Sequence, residues 1–206
     1  MVSETLVNSI IDSPADDSTL LQDIPRLKRY LYTVRWSLAS ALTNTAIVTS
    51  QLQQQSFDLV LTYFDGTDTL AHRFWLLRQP LEEIRARLGS QGMNPALAGE
   101  LKQRMGNAID NFYAFIDQQL DRIWRAAGPN ATIIVVSDHG WGPLRAVKAP
   151  YEHVPFDGQH EIEGVFLAAG PAIRHHSIAP LSLYDIAPTV LYAVALVFCG
   201  ASGGSR

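Results

Sequence analysis

The feature that most constrains the fold of this chain is a run of β-branched residues, Ile133 to Val136, followed within four residues by Asp138, His139 and Gly140. A short continuous apolar run of this kind predicts a buried strand. Two side chains of metal-ligand type therefore follow the carboxyl end of that strand. In open α/β sheets, ligands bind in the crevice beyond the carboxyl ends of the strands. The segment thus predicts a sheet and a site at its edge.

The rest of the chain alternates helical patterns with short apolar runs. The spacing of apolar residues predicts helices over 24–55, 68–88, 95–127 and 183–196, with Pro188 inside the last. Strands are predicted over 57–64, 131–136 and 164–169, and 140–160 is interpreted as a site loop. This order favours an α/β fold with a mainly parallel sheet covered on both faces.

Composition limits the classes of function. The chain has 206 residues, of which 47% are hydrophobic, and its net charge of −4 gives no electrostatic signal for nucleic-acid binding. Its single cysteine, Cys199, excludes an internal disulfide. We find no signal peptide and no transmembrane segment, since a bilayer span needs roughly 20 apolar residues; the compartment is left open. We divide the chain into a polar N-terminal segment (1–25), an α/β domain (26–199) and a flexible tail (200–206).

Five residues form a candidate metal centre. Asp68 and His72 are four positions apart, which places them on one face of a helix, and His160 would join them from a loop. Such a set of two imidazoles and a carboxylate suits a catalytic zinc ion. Asp138 and His139 would contribute to a second ion, and two metals can clamp the attacking and leaving oxygens of a phosphoryl transfer.

Each of these residues also has a simpler interpretation. Asp68 alone is a typical helix cap, and His72 alone is typical of a helix histidine with an ordinary partner. The candidate centre therefore depends on the joint occurrence of the five residues at strand ends. The remaining histidines and loop acids are interpreted as surface or turn residues: His153, His175, His176, Asp65 and Asp157.

Four segments together resemble one family. They are Asp68–Trp75 (DTLAHRFW), Val136–Gly140 (VSDHG), Gly158–Phe166 (GQHEIEGVF) and Leu183–Leu191 (LYDIAPTVL). In this order they are similar to the type I phosphodiesterase/nucleotide pyrophosphatase group of the alkaline phosphatase superfamily. The resemblance covers about residues 26–197 and is specific as an ordered group.

The resemblance implies a three-layer αβα sandwich, a small phosphoester substrate and two zinc ions. One zinc would be held by Asp68, His72 and His160. The other would be held by Asp138 and His139 together with an early aspartate and a nucleophilic threonine or serine. Because neither of these last two residues is evident before Asp68, the chain looks like a C-terminal portion of such an enzyme, with one zinc site retained and little activity alone.

Two alternatives to a phosphodiesterase stay open. The chain could be a catalytically inactive metal-binding remnant or interaction domain. It could also resemble a sulfatase or a phosphoglycerate mutase of the same superfamily, which the nucleophile would distinguish. An incomplete sheet would leave an open edge, so self-association is expected.

Overall fold

The computed structural model describes residues 2–14, 18–144, 156–171, 173–174 and 177–194. His153, His175, His176, Cys199 and the predicted tail lie outside these residues. The described helices are α1 (Glu4–Ile10), α2 (Thr19–Asp23), α3 (Arg26–Gln54), α4 (Gly66–Phe74), α5 (Leu81–Ser90), α6 (Ala98–Met105), α7 (Ala108–Ala127) and α8 (Ile186–Ala193). The described strands are β1 (Ile133–Val136), β2 (Gly140–Gly142), β3 (Gln159–Glu161) and β4 (Phe166–Ala169).

The core lies where α3, α4 and α7 pack against one another. Leu38 of α3, Leu70 of α4 and Phe112 of α7 are fully buried there. Burial of a side chain such as Phe112 contributes about 1.5–3 kcal/mol. Gly66 begins α4 against the Phe112 ring, and a Cβ at this position would collide with that ring. The packing therefore fixes the helix that carries Asp68 and His72.

The N-terminal segment is helical and packs into the same core. Ser3 and Ser18 cap α1 and α2 by accepting backbone hydrogen bonds. Five aliphatic side chains of this region are buried, and Val2, Leu6 and Leu21 are partly buried against them; the buried ones are Val7, Ile10, Ile11, Leu20 and Ile24. Residues 1–25 are polar in composition but contain two short amphipathic helices, α1 and α2, which cover one side of the bundle.

The predicted helices are present, but two of them are divided. The helix over 24–55 is confirmed as α3, which carries both buried and exposed faces. The single helix over 68–88 is wrong, because Pro80 separates α4 and a following 3₁₀ turn from α5. The helix over 95–127 is interrupted at Gly106, between α6 and α7. No helix among the described residues combines the length and apolar character needed to cross a bilayer.

The late helix begins with a 3₁₀ turn, Leu183–Asp185, and continues as α8. A capping box stabilises the start of this helix. The Ser182 side chain accepts a backbone N–H of the 3₁₀ turn, and the Asp185 carboxylate accepts the Ser182 N–H. Pro188 lies in the first turn of α8, where its missing N–H removes no helical hydrogen bond. The proline thus leaves α8 unbroken after Ile186.

The described strands form two antiparallel pairs. β1 pairs with β4, with Ile133 opposite Ala169, and β2 pairs with β3. The predicted strands at 131–136 and 164–169 are thus present as β1 and β4, and the mixture of helix and sheet is confirmed. The expectation of parallel neighbours does not hold for these pairs. Part of the predicted site loop over 140–160 also forms an antiparallel strand pair, because β2 lies within it and β3 begins at Gln159.

The strand predicted over 57–64 is wrong. The segment is irregular, and the side chains of Leu61 and Tyr63 are 81% and 74% exposed. Its backbone is held to α3 through Asn44, whose side-chain amide donates to the Tyr63 carbonyl at 2.8 Å. Residues with high β-propensity form a strand only when a neighbouring strand accepts their hydrogen bonds and a face covers them. Residues 57–64 have the propensity, but no such neighbour is present among the residues that the structure describes.

Candidate metal centre

Helix α4 carries two of the predicted ligands. Asp65 occupies the N-cap position, so Asp68 is a first-turn residue and not the cap. His72 follows one turn later, with its Nε2 3.7 Å from Asp68 Oδ2. Leu70 and Phe74 are buried on the core side of α4, which sets the rotation of the helix. The predicted placement of Asp68 and His72 on one face of a helix is therefore what the structure has.

The β2–β3 pair carries His160 to the same place. In this pair His160 lies opposite Trp141. His160 Nε2 is 3.3 Å from His72 Nε2 and 3.5 Å from Asp68 Oδ1. Three ligand-type side chains from a helix and a distant strand therefore converge, and their ligand atoms all lie within 4.8 Å of one another.

The donor set of this trio suits a divalent cation. Asp68 Oδ1 is buried and has no hydrogen-bond partner among the described residues. A buried carboxylate oxygen without a partner is costly unless a cation accompanies it. Two Zn–N bonds at a tetrahedral angle place their nitrogens about 3.3 Å apart, which is the separation of the His72 and His160 Nε2 atoms. The residues therefore fit a zinc ion with a further position open.

His139 joins this cluster, whereas Asp138 lies at its margin. The Nε2 atom of His139 is 3.5 Å from Asp68 Oδ1, and its ring stacks on His160 with centroids 3.8 Å apart. The Asp138 side chain is 80% exposed, with Oδ1 3.8 Å from His139 Nε2. The five predicted residues therefore occupy one neighbourhood, in which Asp68 is central and its Oδ1 faces two imidazoles.

Asp157 has a role that sequence reasoning missed. Its place in a loop predicts a turn acid, yet Asp157 is only 8% exposed and its Oδ1 lies 3.0 Å from His72 Nδ1. A carboxylate behind a histidine ligand is a common second partner in metal sites. The sequence offers only a weak signal for it, namely its position three residues before His160.

Trp141 forms one wall of the cluster. Its indole meets the His72 ring edge-on, with centroids 4.5 Å apart, and the His160 ring in the same way at 4.7 Å. Trp75 packs behind it at 6.0 Å. Because Trp141 is held between these rings, it limits their rotation and shields one side of the cluster from water. The His160 side chain is 50% exposed, so a ligand can approach from the other side.

A model of a protein family matches most of the chain. This model, described as type I phosphodiesterase / nucleotide pyrophosphatase, covers residues 16–179, about four fifths of the sequence. The matched range includes every residue of the cluster, from Asp68 to His160, and ends before α8. No curated protein and no solved structure matches the chain.

Proposed function

Because this chain belongs to the type I phosphodiesterase/nucleotide pyrophosphatase family, we propose that it takes part in the hydrolysis of phosphoric esters. We propose that Asp68, His72 and His160 bind a zinc ion for this reaction. One observation carries the proposal above all. Asp68 Oδ1 is buried without a hydrogen-bond partner among the described residues, beside imidazole nitrogens at zinc-ligand spacing. A phosphoester is the substrate class that fits the family.

Zinc in such a site supplies electrophilic stabilisation of negative charge on a phosphoryl oxygen. The chain's own residues provide the rest of the environment. Asp68 contributes the negative charge that retains the cation, and the two histidines contribute neutral donors. Trp141 excludes water from one side, while the exposed side of His160 leaves room for a phosphoester.

We further propose that Asp138 and His139 are part of the second zinc site of the family. Support comes from His139, whose Nε2 is 3.5 Å from Asp68 and thus adjacent to the first site. The sequence shows no serine or threonine that matches the family's nucleophile, so we expect one zinc per chain and low turnover by the chain alone. We also propose that the described helices and strands belong to the expected αβα sandwich.

An inactive metal-binding remnant is the second candidate. It is favoured by the same two observations, namely three ligand-type side chains that converge and the lack of an evident nucleophile in the sequence. Turnover distinguishes the two candidates, because both bind zinc and only one hydrolyses a phosphoester. The sulfatase and mutase alternatives are less well supported, since the matching family model is that of phosphodiesterases.

Zinc binding is the first test. We expect titration calorimetry to give about one zinc per chain, and D68N and H72A each to weaken binding by at least about tenfold, because each removes one of the few donors. D58N, which changes an exposed acid in the 57–64 segment, is the matched control and should bind like the wild type.

Activity is measured on the same proteins with bis(4-nitrophenyl) phosphate. We expect slow hydrolysis that depends on added zinc and is lost in H72A. Wild-type protein that binds no zinc would contradict the proposed metal site. Zinc binding without any hydrolysis would favour the inactive remnant.

A further inference from the structure

His72 presents two ring nitrogens to two different carboxylates. Its Nε2 faces Asp68 and His160, the candidate cation ligands. Its Nδ1 lies 3.0 Å from Asp157 Oδ1, a distance typical of a direct hydrogen bond. Asp157 is on the opposite side of the ring from the cation position and so does not belong to the ligand set. Its contact must therefore act through His72.

We propose that Asp157 is a positioning residue that holds His72 in the one tautomer and orientation able to bind the cation, an inference that rests on the proposed function. An ionised carboxylate only accepts hydrogen bonds. The proton of the neutral imidazole is therefore on Nδ1, and Nε2 keeps the lone pair that a metal requires. Without Asp157, the ring is able to carry its proton on Nε2 and to rotate.

Asp157 is itself held from both sides. Phe156 before it is fully buried, with its ring edge-on to Tyr30 at 6.2 Å, and its carbonyl accepts the Leu76 N–H at 2.9 Å. Gly158 after it lies so close to Trp75 that a Cβ would stand 2.5 Å from the indole Cγ. We call residues Phe156–Gly158 the anchor segment. Because both its ends are fixed, the carboxylate between them has little freedom to leave His72.

The anchor segment also leads directly into β3 and His160. One short stretch of chain therefore places one ligand, His160, by covalent continuity and another, His72, by a hydrogen bond. This explains why an acid is buried here. The cost of removing a carboxylate from water is offset by its bond to His72, and the gain is a pair of imidazoles that is already arranged for a cation.

The first test reads the tautomer of His72 in the metal-free protein. Long-range ¹H–¹⁵N spectra are recorded at about pH 8.5, two units above the ordinary pKa of imidazole, for the wild type, D157A and D157N. We expect wild-type His72 to be protonated on Nδ1, D157A to show the Nε2 form or a mixture, and D157N to retain the wild-type form, because the amide oxygen also accepts. An Nε2-protonated His72 in the wild type would overturn the inference.

The second test measures zinc affinity for the same variants. We expect D157A to bind zinc about 10–100-fold more weakly, the range found when such second partners of metal ligands are removed, and D157N to recover part of the loss. D65N is the control, since Asp65 occupies the N-cap position of α4 without a side-chain capping bond and contacts the Ser40 hydroxyl rather than a candidate ligand. D157A with wild-type affinity would overturn the inference while leaving the metal site intact.

The two tests separate this inference from the proposed function. If the wild type binds no zinc, the proposed function fails, but the tautomer spectrum still decides whether Asp157 orients His72. If D157A does not fold, circular dichroism will show it, and the tautomer of the wild type then decides alone, because an Nε2-protonated His72 overturns the inference. A D157N protein that retains the tautomer and the affinity while D157A loses both supports the inference, whereas a D157N protein that loses both contradicts the expected rescue by the amide oxygen and counts against it.

Discussion

Asp68 shows what could and could not be predicted for a single residue. Its four-residue spacing from His72 was sufficient to place both on one face of α4. The sequence does not show that its two carboxylate oxygens point in different directions, Oδ2 to His72 and Oδ1 to His139 and His160. Nor does it identify Asp157, because a loop acid acquires its partner only when distant elements meet. Ligand types can be predicted from local spacing, but the partners of the ligands depend on the fold.

Gly158 offers a test at the scale of one residue. A Cβ at this position would lie 2.5 Å from Trp75 Cγ and 2.8 Å from the Gly142 carbonyl oxygen, so the anchor segment would have to shift. We expect G158A to lower the free energy of unfolding by about 1–3 kcal/mol and to weaken zinc binding, because His160 and Asp157 would move with it. Urea unfolding and zinc titration measure the two effects.

Gly99 is the matched control for that substitution. It lies in α6, and a Cβ there would meet no heavy atom within 4 Å. Replacing a helical glycine by alanine stabilises by about 0.5–1 kcal/mol, so G99A should be slightly more stable and should bind zinc normally. If G158A behaved like G99A, the close packing of the anchor segment would be without consequence.

At the scale of elements, periodicity predicted the helices better than their ends. The buried positions of α3 and α7 recur at helical spacing, so both helices could be predicted from their apolar residues. The breaks depend on single residues within the pattern, Pro80 and Gly106. Strands were harder to predict, because a strand depends on a partner elsewhere in the chain. β1 and β4 have such partners in each other, whereas residues 57–64 have none among the described residues.

The contact between α3 and α4 predicts a pH dependence. Tyr30 of α3 is buried, with the guanidinium of Arg73 from α4 5.3 Å from its ring centre. Burial raises the pKa of Tyr30 above its ordinary value, and the nearby positive charge of Arg73 offsets this only in part. The unfolded chain therefore loses this proton at lower pH than the folded protein does.

It follows that the free energy of unfolding falls as the pH rises above about 10, through the interval between the unfolded and folded pKa values of this group. Phenylalanine has no proton to lose, so Y30F should show a shallower decline. Urea unfolding of both proteins between about pH 9 and 11 measures the difference. Parallel declines in the two proteins would show that Tyr30 contributes nothing to the pH dependence.

At the scale of the whole molecule, the helices hold most of the buried core, but large apolar side chains are exposed on α3 and α7 as well as on the loops and strands. The fully buried residues belong mainly to the helices, whereas large apolar side chains are exposed on residues 57–64 and near β3, β4 and α8, including Leu61, Tyr63, Ile162, Leu167, Tyr184 and Tyr192. Contiguous exposed apolar surface is typical of faces that contact another protein surface. This exposed apolar surface supports the proposal that the chain self-associates.

Self-association is tested by replacing the most exposed apolar residues of the 57–64 segment. We expect light scattering after size exclusion to show species larger than a monomer, with a mass that rises with concentration. Because L61D/Y63D adds charge to this segment, it should shift the protein toward the monomer. Q53D/Q55D places the same added charge at the exposed end of α3 and should not. A wild type that stays monomeric at all concentrations would contradict the proposal.

The pairing of Trp141 with His160 has a consequence for how the chain reaches its native state. Successive side chains of a strand point to opposite faces, so a slip of one residue between β2 and β3 would turn His160 away from Asp68. Each of these strands has only three residues, so their own pairing supplies few backbone bonds against such a slip, and the anchor segment before β3 supplies further resistance. A cation that requires His160 and Asp68 together binds only the correctly paired form. Cation binding would therefore stabilise the correctly paired form of β2 and β3 during folding and shift any slipped pairing toward it.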